Sequence, residues 1–262
     1  PPRSTPSNSS AASDVYKRQT YGLTQIFKTS MAMDNSSRAV ELRFAKNEWA
    51  RLWGNKLIEH KWDIENTALF GSQYEDSATG MRYTQGAVDY ILRYGNVFQL
   101  DLTSKTYDDF LDDLSQFLDP RYGTDKPTVF FVPTAVYNWL NKIGSNSYIG
   151  NTTGSNDSIR VDFAFLERRK MLGVPVDIIR TAYGDIKVVR NIHLDGTNIK
   201  MLAVNLKNVK YRPLVGNGLN RDTHVYVGVQ SLENSGVDKR VDLILTEAGL
   251  EWTVGESHAV WL

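Results

Sequence analysis

The side chains best suited to chemistry in this sequence are four aspartates within six residues of one predicted helix: Asp108, Asp109, Asp112 and Asp113. Carboxylates at this spacing can hold a metal ion or act as an acid–base pair, as in a hydrolase or a glycan-active enzyme. Acidic residues near a helix start also stabilise the positive end of the helix dipole and keep that face solvated. We favour the second interpretation and keep an acidic hydrolase site near Asp108–Asp113 as the alternative.

Four histidines are scattered through helix, strand and turn contexts: His60, His193, His224 and His258. None is part of an HExxH motif or spaced as a metal-ligand pair, and the carboxylates near His60 do not share its helix face. The sequence also lacks GxSxG, GxxxxGK[ST] and GxGxxG, and Gly216–Asn217–Gly218 is predicted to be a turn rather than a phosphate cradle. We therefore expect no catalytic residues, no metal site and no cofactor.

Composition limits the class of protein. The 262 residues carry 30 Lys and Arg against 30 Asp and Glu, and this balance argues against a dedicated nucleic-acid binder. There is no cysteine, so neither a disulfide framework nor thiol chemistry is available. No apolar run approaches the ~18 residues of a membrane span, so no membrane contact is expected.

The chain is predicted to be organised around one long helix, Glu41–Phe70. Its apolar residues recur at close to i, i+3, i+4, i+7 spacing, and charged residues fill the other faces. The apolar stripe comprises Trp49, Leu52, Trp53, Leu57, Ile58, Trp62, Leu69 and Phe70. At about 1.5 Å per residue such a helix spans roughly 40 Å, so it requires a sheet or other subunits along its length.

Shorter elements surround this helix. Thr20–Val40 is predicted to form two extended segments around a turn at Asp34–Ser37, with no strong core pattern. The middle of the chain mixes helices and strands, which indicates helices packed on a sheet. The segments are a helix at Thr103–Leu118, a strand at Lys126–Val132, a helix at Ala135–Ile143 that ends at Gly144, a hairpin of Val174–Arg180 with Ile186–Asn191, and a strand at Ile199–Leu206. Strands are predicted from His224 onwards.

Three stretches are interpreted from their composition. Gly144–Ser158, rich in Gly, Asn, Ser and Thr, is predicted to be an exposed loop. Arg168–Lys170 is basic, and we favour a solvated helix face over a contact with nucleic acid or an acidic partner. Residues 1–19 lack periodicity and are predicted to be disordered. Within them SAASDVYKRQ looks like translated adapter sequence, so we expect this part to be non-native.

Several stretches resemble the major capsid proteins of tailed bacteriophages. They are TQIF at Thr24–Phe27, DIENTALFG at Asp63–Gly71, RYTQGAVDYI at Arg82–Ile91, LGVPVDII and YGDIKVV within Leu172–Val189, and EAGLEWTVGESHAVWL at Glu247–Leu262. The resemblance covers Thr20 to the C-terminus and lies in the ordered set rather than in one motif. It implies an α+β fold of the Hong Kong 97-like type. In that fold a long spine helix packs on a β-sheet in a peripheral (P) domain, beside an α/β axial (A) domain.

The resemblance implies a role for each part of the chain. Residues 20–40 would belong to the N-terminal arm and the extended (E) loop, and residues 41–102 to the P-domain with its spine helix. Residues 103–220 would form the A-domain, and residues 221–262 would return to the P-domain as strands. The contacts expected between subunits are Ile26, Phe27, Met31 and Met33 in the arm, and Tyr148 and Asn151 in the Gly144–Ser158 loop.

The implied function is that of a structural major capsid protein, not an enzyme. It would self-assemble into hexamers and pentamers and then into an icosahedral shell that encloses phage DNA. Implied partners are further copies of the chain and scaffold, portal and decoration proteins, with weak non-specific contact with packaged DNA. The protein would be assembled in the bacterial host cytoplasm and end in the virion. An encapsulin-like compartment is the nearest alternative, and a phage tail or adaptor protein that forms rings or tubes is a third.

Overall fold

A computed structural model of the protein describes residues 21–41, 47–105, 107–118, 127, 129–149, 165–171, 174–181, 184–228, 236 and 238–262. Residues 1–19, predicted to be disordered and non-native, lie outside the described residues. The described helices are α1 (Asn35–Ala39), α2 (Glu48–Phe70), α3 (Ala87–Tyr94), α4 (Tyr107–Phe117) and α5 (Thr134–Ile149). Together with the strands given below, they confirm the predicted α+β class.

The long helix α2 begins at Glu48 rather than at the predicted Glu41. Asn47 has extended backbone, and its side-chain oxygen accepts a hydrogen bond from the Ala50 N–H at 3.1 Å. This cap satisfies one of the unpaired donors of the first turn and so sets the start of the helix. At the other end the Gly71 N–H donates to the Thr67 carbonyl at 2.8 Å. Residues 42–46 of the predicted helix lie outside the described residues.

α2 packs on a four-stranded antiparallel sheet, here called the small sheet. Its strands are β1 (Gln25–Asp34), β10 (Val209–Pro213), β13 (His224–Tyr226) and β14 (Lys239–Trp252). β14 is central: β1 pairs with one of its edges, and β10 and β13 pair with successive parts of the other. Of the two extended segments predicted in Thr20–Val40, only the first forms a strand, and helix α1 (Asn35–Ala39) replaces the predicted turn and the start of the second segment. Residues 25–34 form one strand, in unbroken register with β14 from Gln25 opposite Ala248 to Asp34 opposite Lys239.

β1 also has a core pattern that the sequence analysis did not find. Phe27, Thr29 and Met31 are buried and alternate with exposed residues. Their partners across the ladder are, in the same order, Thr246, Ile244 and Asp242. Because side chains of paired strands share a face, these six residues form one surface, and that surface faces α2.

The second sheet, here called the large sheet, has seven strands. In spatial order they are β4 (Asn96–Phe98), β15 (Ala259–Trp261), β9 (Met201–Val204), β5 (Val129–Val132), β8 (Gly184–Arg190), β7 (Val174–Thr181) and β6 (Phe165–Met171). The pairs β4–β15 and β5–β8 are parallel, and the others are antiparallel. The antiparallel β7–β8 pair confirms the predicted hairpin.

Helices cover both faces of the large sheet. On one face α4 and α5 pack against a cluster that includes Phe130 and Trp261. On the other face α3 and the end of α2 pack against Leu202 and Val260. Neighbouring residues of β15 thus point to opposite cores, as the two-residue period of a strand requires. Trp261 is fully buried, and its ring lies 5.0 Å from that of Phe98.

Two predictions for the middle of the chain were wrong. α5 does not end at Gly144 but continues to Ile149, because a glycine inside a helix costs only about 1 kcal/mol and ends it only with a left-handed turn. The basic residues Arg168–Lys170 lie in strand β6 rather than on a helix, since pairing with β7 decides their conformation. Residues 150–158 of the predicted loop lie outside the described residues.

Two short hairpins project from this framework. One joins β2 (Tyr74–Glu75) to β3 (Arg82–Tyr83), and the other joins β11 (Val215–Gly216) to β12 (Leu219–Asn220). Asn217 and Gly218 have φ angles of 50° and 78°, as a two-residue type I′ turn requires, which confirms the turn predicted there. Within the part of the chain that is described, no helix is both long and apolar enough to cross a membrane.

Candidate assembly surface

The centre of the interface between α2 and the small sheet is polar. His60 is 1% exposed, and its Nδ1 lies 2.9 Å from Thr29 Oγ1 while its Nε2 lies 2.8 Å from Thr246 Oγ1. Thr246 Oγ1 is in turn 2.9 Å from Thr223 Oγ1. These hydrogen bonds fix α2 in one register on the sheet, because a buried polar group left unpaired costs about 1–3 kcal/mol.

Burial also sets the charge of His60. It lowers the pKa of the imidazole, and the Asp63 carboxylate raises that pKa by a smaller amount. The ring is therefore neutral near neutral pH, with one nitrogen donating a hydrogen bond and the other accepting one. Threonine hydroxyls can take either role, so they suit both tautomers.

A second polar contact joins α2 to the sheet at Asp242. The Trp53 indole N–H donates to Asp242 Oδ2 at 3.3 Å, the Gly228 N–H donates to Oδ1 at 3.0 Å, and Arg240 donates to both oxygens at 3.0 Å. Burial alone would raise the pKa of Asp242, but these hydrogen bonds outweigh it and the pKa lies below its ordinary value. The carboxylate therefore stays ionised under the helix.

The start of α2 is held by stacking. The Trp49 indole lies 5.4 Å from the Arg38 guanidinium and 5.1 Å from that of Arg240. A cation over an indole contributes about 0.5–1 kcal/mol at an exposed site. α1, α2 and β14 thus meet at one tryptophan, and α2 is fixed to the small sheet at its start and at its middle.

The arm residues predicted to contact a neighbour fall into two groups. Ile26 is 46% exposed and lies on the sheet face directed away from α2. Phe27 and Met31 are only 8% and 7% exposed because they pack under the subunit's own helix, so they have little surface left for a neighbour. Met33 is half-buried.

The two loop residues are placed less fully. The backbone of Tyr148 belongs to helix α5 rather than to a loop. Asn151 lies outside the described residues.

The described acidic side chains of α4 do not converge on a site, and the side chain of Asp108 lies outside the described residues. Asp109 and Asp112 are exposed, and Asp113 pairs with Lys105 at 2.5 Å. Among the described residues no group of three or more His, Asp or Glu side chains is arranged to hold a metal ion. These positions fit the solvated helix face that we favoured.

The sequence analysis missed several exposed apolar side chains. Ile58 and Trp62 belong to the predicted apolar stripe of α2, and each is 51% exposed because the small sheet covers only part of the helix. In the β11–β12 hairpin, Val215 and Leu219 are 61% and 54% exposed. A usable signal was present: the eight residues Pro213–Asn220 contain no charged side chain.

The sequence as a whole decides the family. A model of the SU10 major capsid protein family matches residues 5–261. The chain belongs to the SU10 major capsid protein family. The matched range includes residues 5–19. That these residues are non-native stays a prediction. A comparison with curated proteins gave no match.

Solved structures show which fold this SU10 capsid protein has. The capsid of Myoviridae phage XM1 aligns with a TM-score of 0.55 at 14% identity, over 91% of this chain and 72% of that one. Mycobacterium phage Che8 aligns with a TM-score of 0.53 at 13% identity, over 98% and 81%. The holo-SrpI encapsulin complex from Synechococcus elongatus aligns with a TM-score of 0.55 at 10% identity, over 91% and 73%.

These likenesses confirm the Hong Kong 97-like capsid fold. At such low identity the fold alone does not separate a phage capsid from an encapsulin, since both kinds of shell have it. The family match does separate them, and it confirms the predicted function: the protein is a structural major capsid protein of a bacteriophage. A structural role follows from this family.

Proposed function

We propose that this SU10 capsid protein assembles into hexamers and pentamers that close into an icosahedral shell around phage DNA. The observation that carries the proposal is the family match over residues 5–261. Rigid subunits support it, because closed symmetry multiplies many modest interfaces into a cooperative shell only if each subunit keeps its shape. The hydrogen bonds of His60 and Asp242 supply that rigidity between α2 and the small sheet.

Within the shell, the small sheet with α2 would be the P-domain and the large sheet the A-domain. The strands support this division, but three of them lie in a different sheet from the one that the predicted ranges imply. β4, from within 41–102, pairs with β15 in the large sheet. β10, from within 103–220, pairs with β14 in the small sheet. β15, from within 221–262, pairs with β9 and β4 in the large sheet.

Ile26, Met33, Tyr148 and Asn151 remain proposed contacts between subunits. Ile26 is the best supported of the four, because nearly half of its surface is free on the open face of the small sheet. Phe27 and Met31 would act indirectly by holding β1 against α2. Residues 20–40 would therefore be anchored in their own subunit and not lie wholly over a neighbour.

The remaining partners follow from the same proposal. Scaffold, portal and decoration proteins would bind the shell, and assembly would take place in the bacterial host cytoplasm before the protein becomes part of the virion. Contact with packaged DNA would be weak and non-specific, because the chain has a formal net charge of +0.

The test is light scattering combined with negative-stain electron microscopy on the purified full chain over a range of concentrations. Closed shells, or rings of five and six subunits, are the expected result. Open tubes would instead support a tail or adaptor protein, and a monomer at every concentration, with or without a co-expressed scaffold, would contradict the proposal. Shells that enclose an enzyme rather than DNA would favour the encapsulin alternative, which has the same fold.

A further inference from the structure

We propose that the β11–β12 hairpin docks onto a second copy of this chain and buries Val215 and Leu219 there. The inference rests on the proposed assembly into a shell and assigns one contact of that assembly to a definite surface. None of the contact residues predicted from the sequence lies in this hairpin.

The hairpin is apolar where exposed hairpins are usually polar. Val215 is 61% exposed and Leu219 is 54% exposed, on either side of the Asn217–Gly218 turn. The stretch Pro213–Asn220 has no charged residue to keep it solvated or to repel another chain. Exposed strands in monomeric proteins normally carry such charges, because they prevent edge-to-edge association.

The hairpin is also rigidly attached to its own subunit. At its base the Leu214 N–H donates to the Glu247 carbonyl at 2.9 Å, and the Glu247 N–H donates to the Arg221 carbonyl at 2.8 Å. Arg221 Nε lies 3.0 Å from Glu247 Oε2. With both ends fixed to β14 and a type I′ turn at the tip, the hairpin is already ordered, so docking would cost little conformational entropy.

Apolar exposure continues beside the hairpin along β13. Val225 is 44% exposed, Tyr226 47% and the following Val227 64%. By its register with β14, Val225 lies on the sheet face of Ile244 and Tyr226 on the opposite face beside Leu243, so apolar side chains are exposed on both faces next to the hairpin.

A second copy of the chain is the occupant that fits these observations. An uncharged hairpin offers no attraction to the phosphates of DNA or to a strongly charged protein. Subunits of a capsid must contact further copies of themselves, and a projecting hairpin suits a contact in which one copy inserts into the next around a ring.

The chain has no cysteine, so Leu219→Cys introduces a single thiol without background. Ile192→Cys is the matched control, since Ile192 is 52% exposed and lies outside the hairpin. Labelling by a polar maleimide is measured on unassembled subunits and on purified shells. We expect labelling of L219C to slow at least ~10-fold on assembly and that of I192C to change by less than ~2-fold. Equal rates for L219C in both states, or equal slowing of both variants, would overturn the inference.

Assembly itself provides the second measurement. Leu219→Asp should raise the concentration needed for shells at least ~10-fold, because a charge would be buried in the contact, while the melting temperature of the subunit stays unchanged. Ile192→Asp should assemble like the wild type. If L219D also assembles at the wild-type concentration, only this inference fails. If the wild type never assembles, the proposed function fails with it.

Discussion

His60 is a titratable side chain placed where water cannot reach it. Its two nitrogens bind threonine hydroxyls of two different strands, so it joins α2 to both β1 and β14. His258, which follows the C-terminal end of β14, is similarly enclosed. Its Nδ1 accepts a hydrogen bond from the Asn205 N–H at 3.2 Å. Burial lowers the pKa of both imidazoles. Two neutral histidines are therefore built into the folded subunit.

The free energy of unfolding should fall as the pH drops below about 6.5, the ordinary pKa of histidine in an unfolded chain. Because both folded-state pKa values are lowered, the unfolded chain binds protons first, and acid favours it. This contribution to stability is complete above the ordinary pKa and is lost as the pH falls towards the lowered values. Urea unfolding of unassembled subunits at several pH values, followed by tryptophan fluorescence, measures it.

The variant His60→Gln should reduce this dependence on pH, because one of the two groups no longer titrates. His224→Gln is the matched control, since the His224 side chain is exposed on β13. A pH dependence that is the same in H60Q and the wild type would show that His60 does not titrate in this range.

At the scale of elements, two glycines in and near α2 differ in what surrounds them. Gly54 lies in mid-helix, where an added Cβ would meet nothing within 4 Å. Gly86 lies just before α3, where a Cβ would come within 2.6 Å of the Gly71 backbone nitrogen and 2.8 Å of the Thr67 carbonyl oxygen. The close approach allows the Gly86 N–H to donate to the Gly71 carbonyl at 2.7 Å, and this joins the end of α2 to α3.

Alanine should therefore have opposite effects at these two positions. Gly54→Ala should stabilise the subunit by roughly 0.5–1 kcal/mol, because alanine loses less backbone entropy in a helix. Gly86→Ala should destabilise it by about 1–3 kcal/mol, because the backbone must move apart. Denaturant unfolding of both variants measures the difference. A stabilising effect at Gly86 would show that the contact between α2 and α3 is not tight.

At the scale of the whole molecule, the C-terminal strands connect the two sheets. β14 ends where the Trp252 indole N–H donates to the Gln85 carbonyl at 3.3 Å and its ring stacks on Tyr90 of α3. A few residues later β15 enters the large sheet between β4 and β9. The segment from β14 to β15 thus joins the small sheet to the large sheet.

Neighbouring residues of β1 should separate folding from assembly. Phe27→Ala should lower the free energy of unfolding by about 3–5 kcal/mol, as expected for a buried phenylalanine. Ile26→Ser should change that free energy by less than ~0.5 kcal/mol and still reduce shell formation, because Ile26 is on the open face. Denaturant unfolding and light scattering on both variants provide the two measurements. Normal shells from I26S would remove Ile26 from the proposed contacts.

Much of this molecule was predictable from local sequence. The apolar spacing in Glu41–Phe70 indicates the long helix, which the structure has at Glu48–Phe70. The order of strands and helices indicates the α+β class, and turn residues indicate the β7–β8 hairpin. The resemblance to phage capsid proteins supplied the family, which the match over residues 5–261 confirms. These properties depend on residues close together in the chain or on the sequence as a whole.

Tertiary structure decided what depends on distant residues. The sequence predicts neither that residues 25–34 form one strand along β14 nor that Phe27 is buried while Ile26 is open, because the partner lies more than 200 residues away. The sequence places Ile58 and Trp62 on one apolar stripe, but spacing shows only which residues share a helix face and not how much of that face a sheet covers. The exposed hairpin at Val215 and Leu219 was missed for the same reason: an apolar residue becomes a contact surface only when nothing in its own subunit covers it.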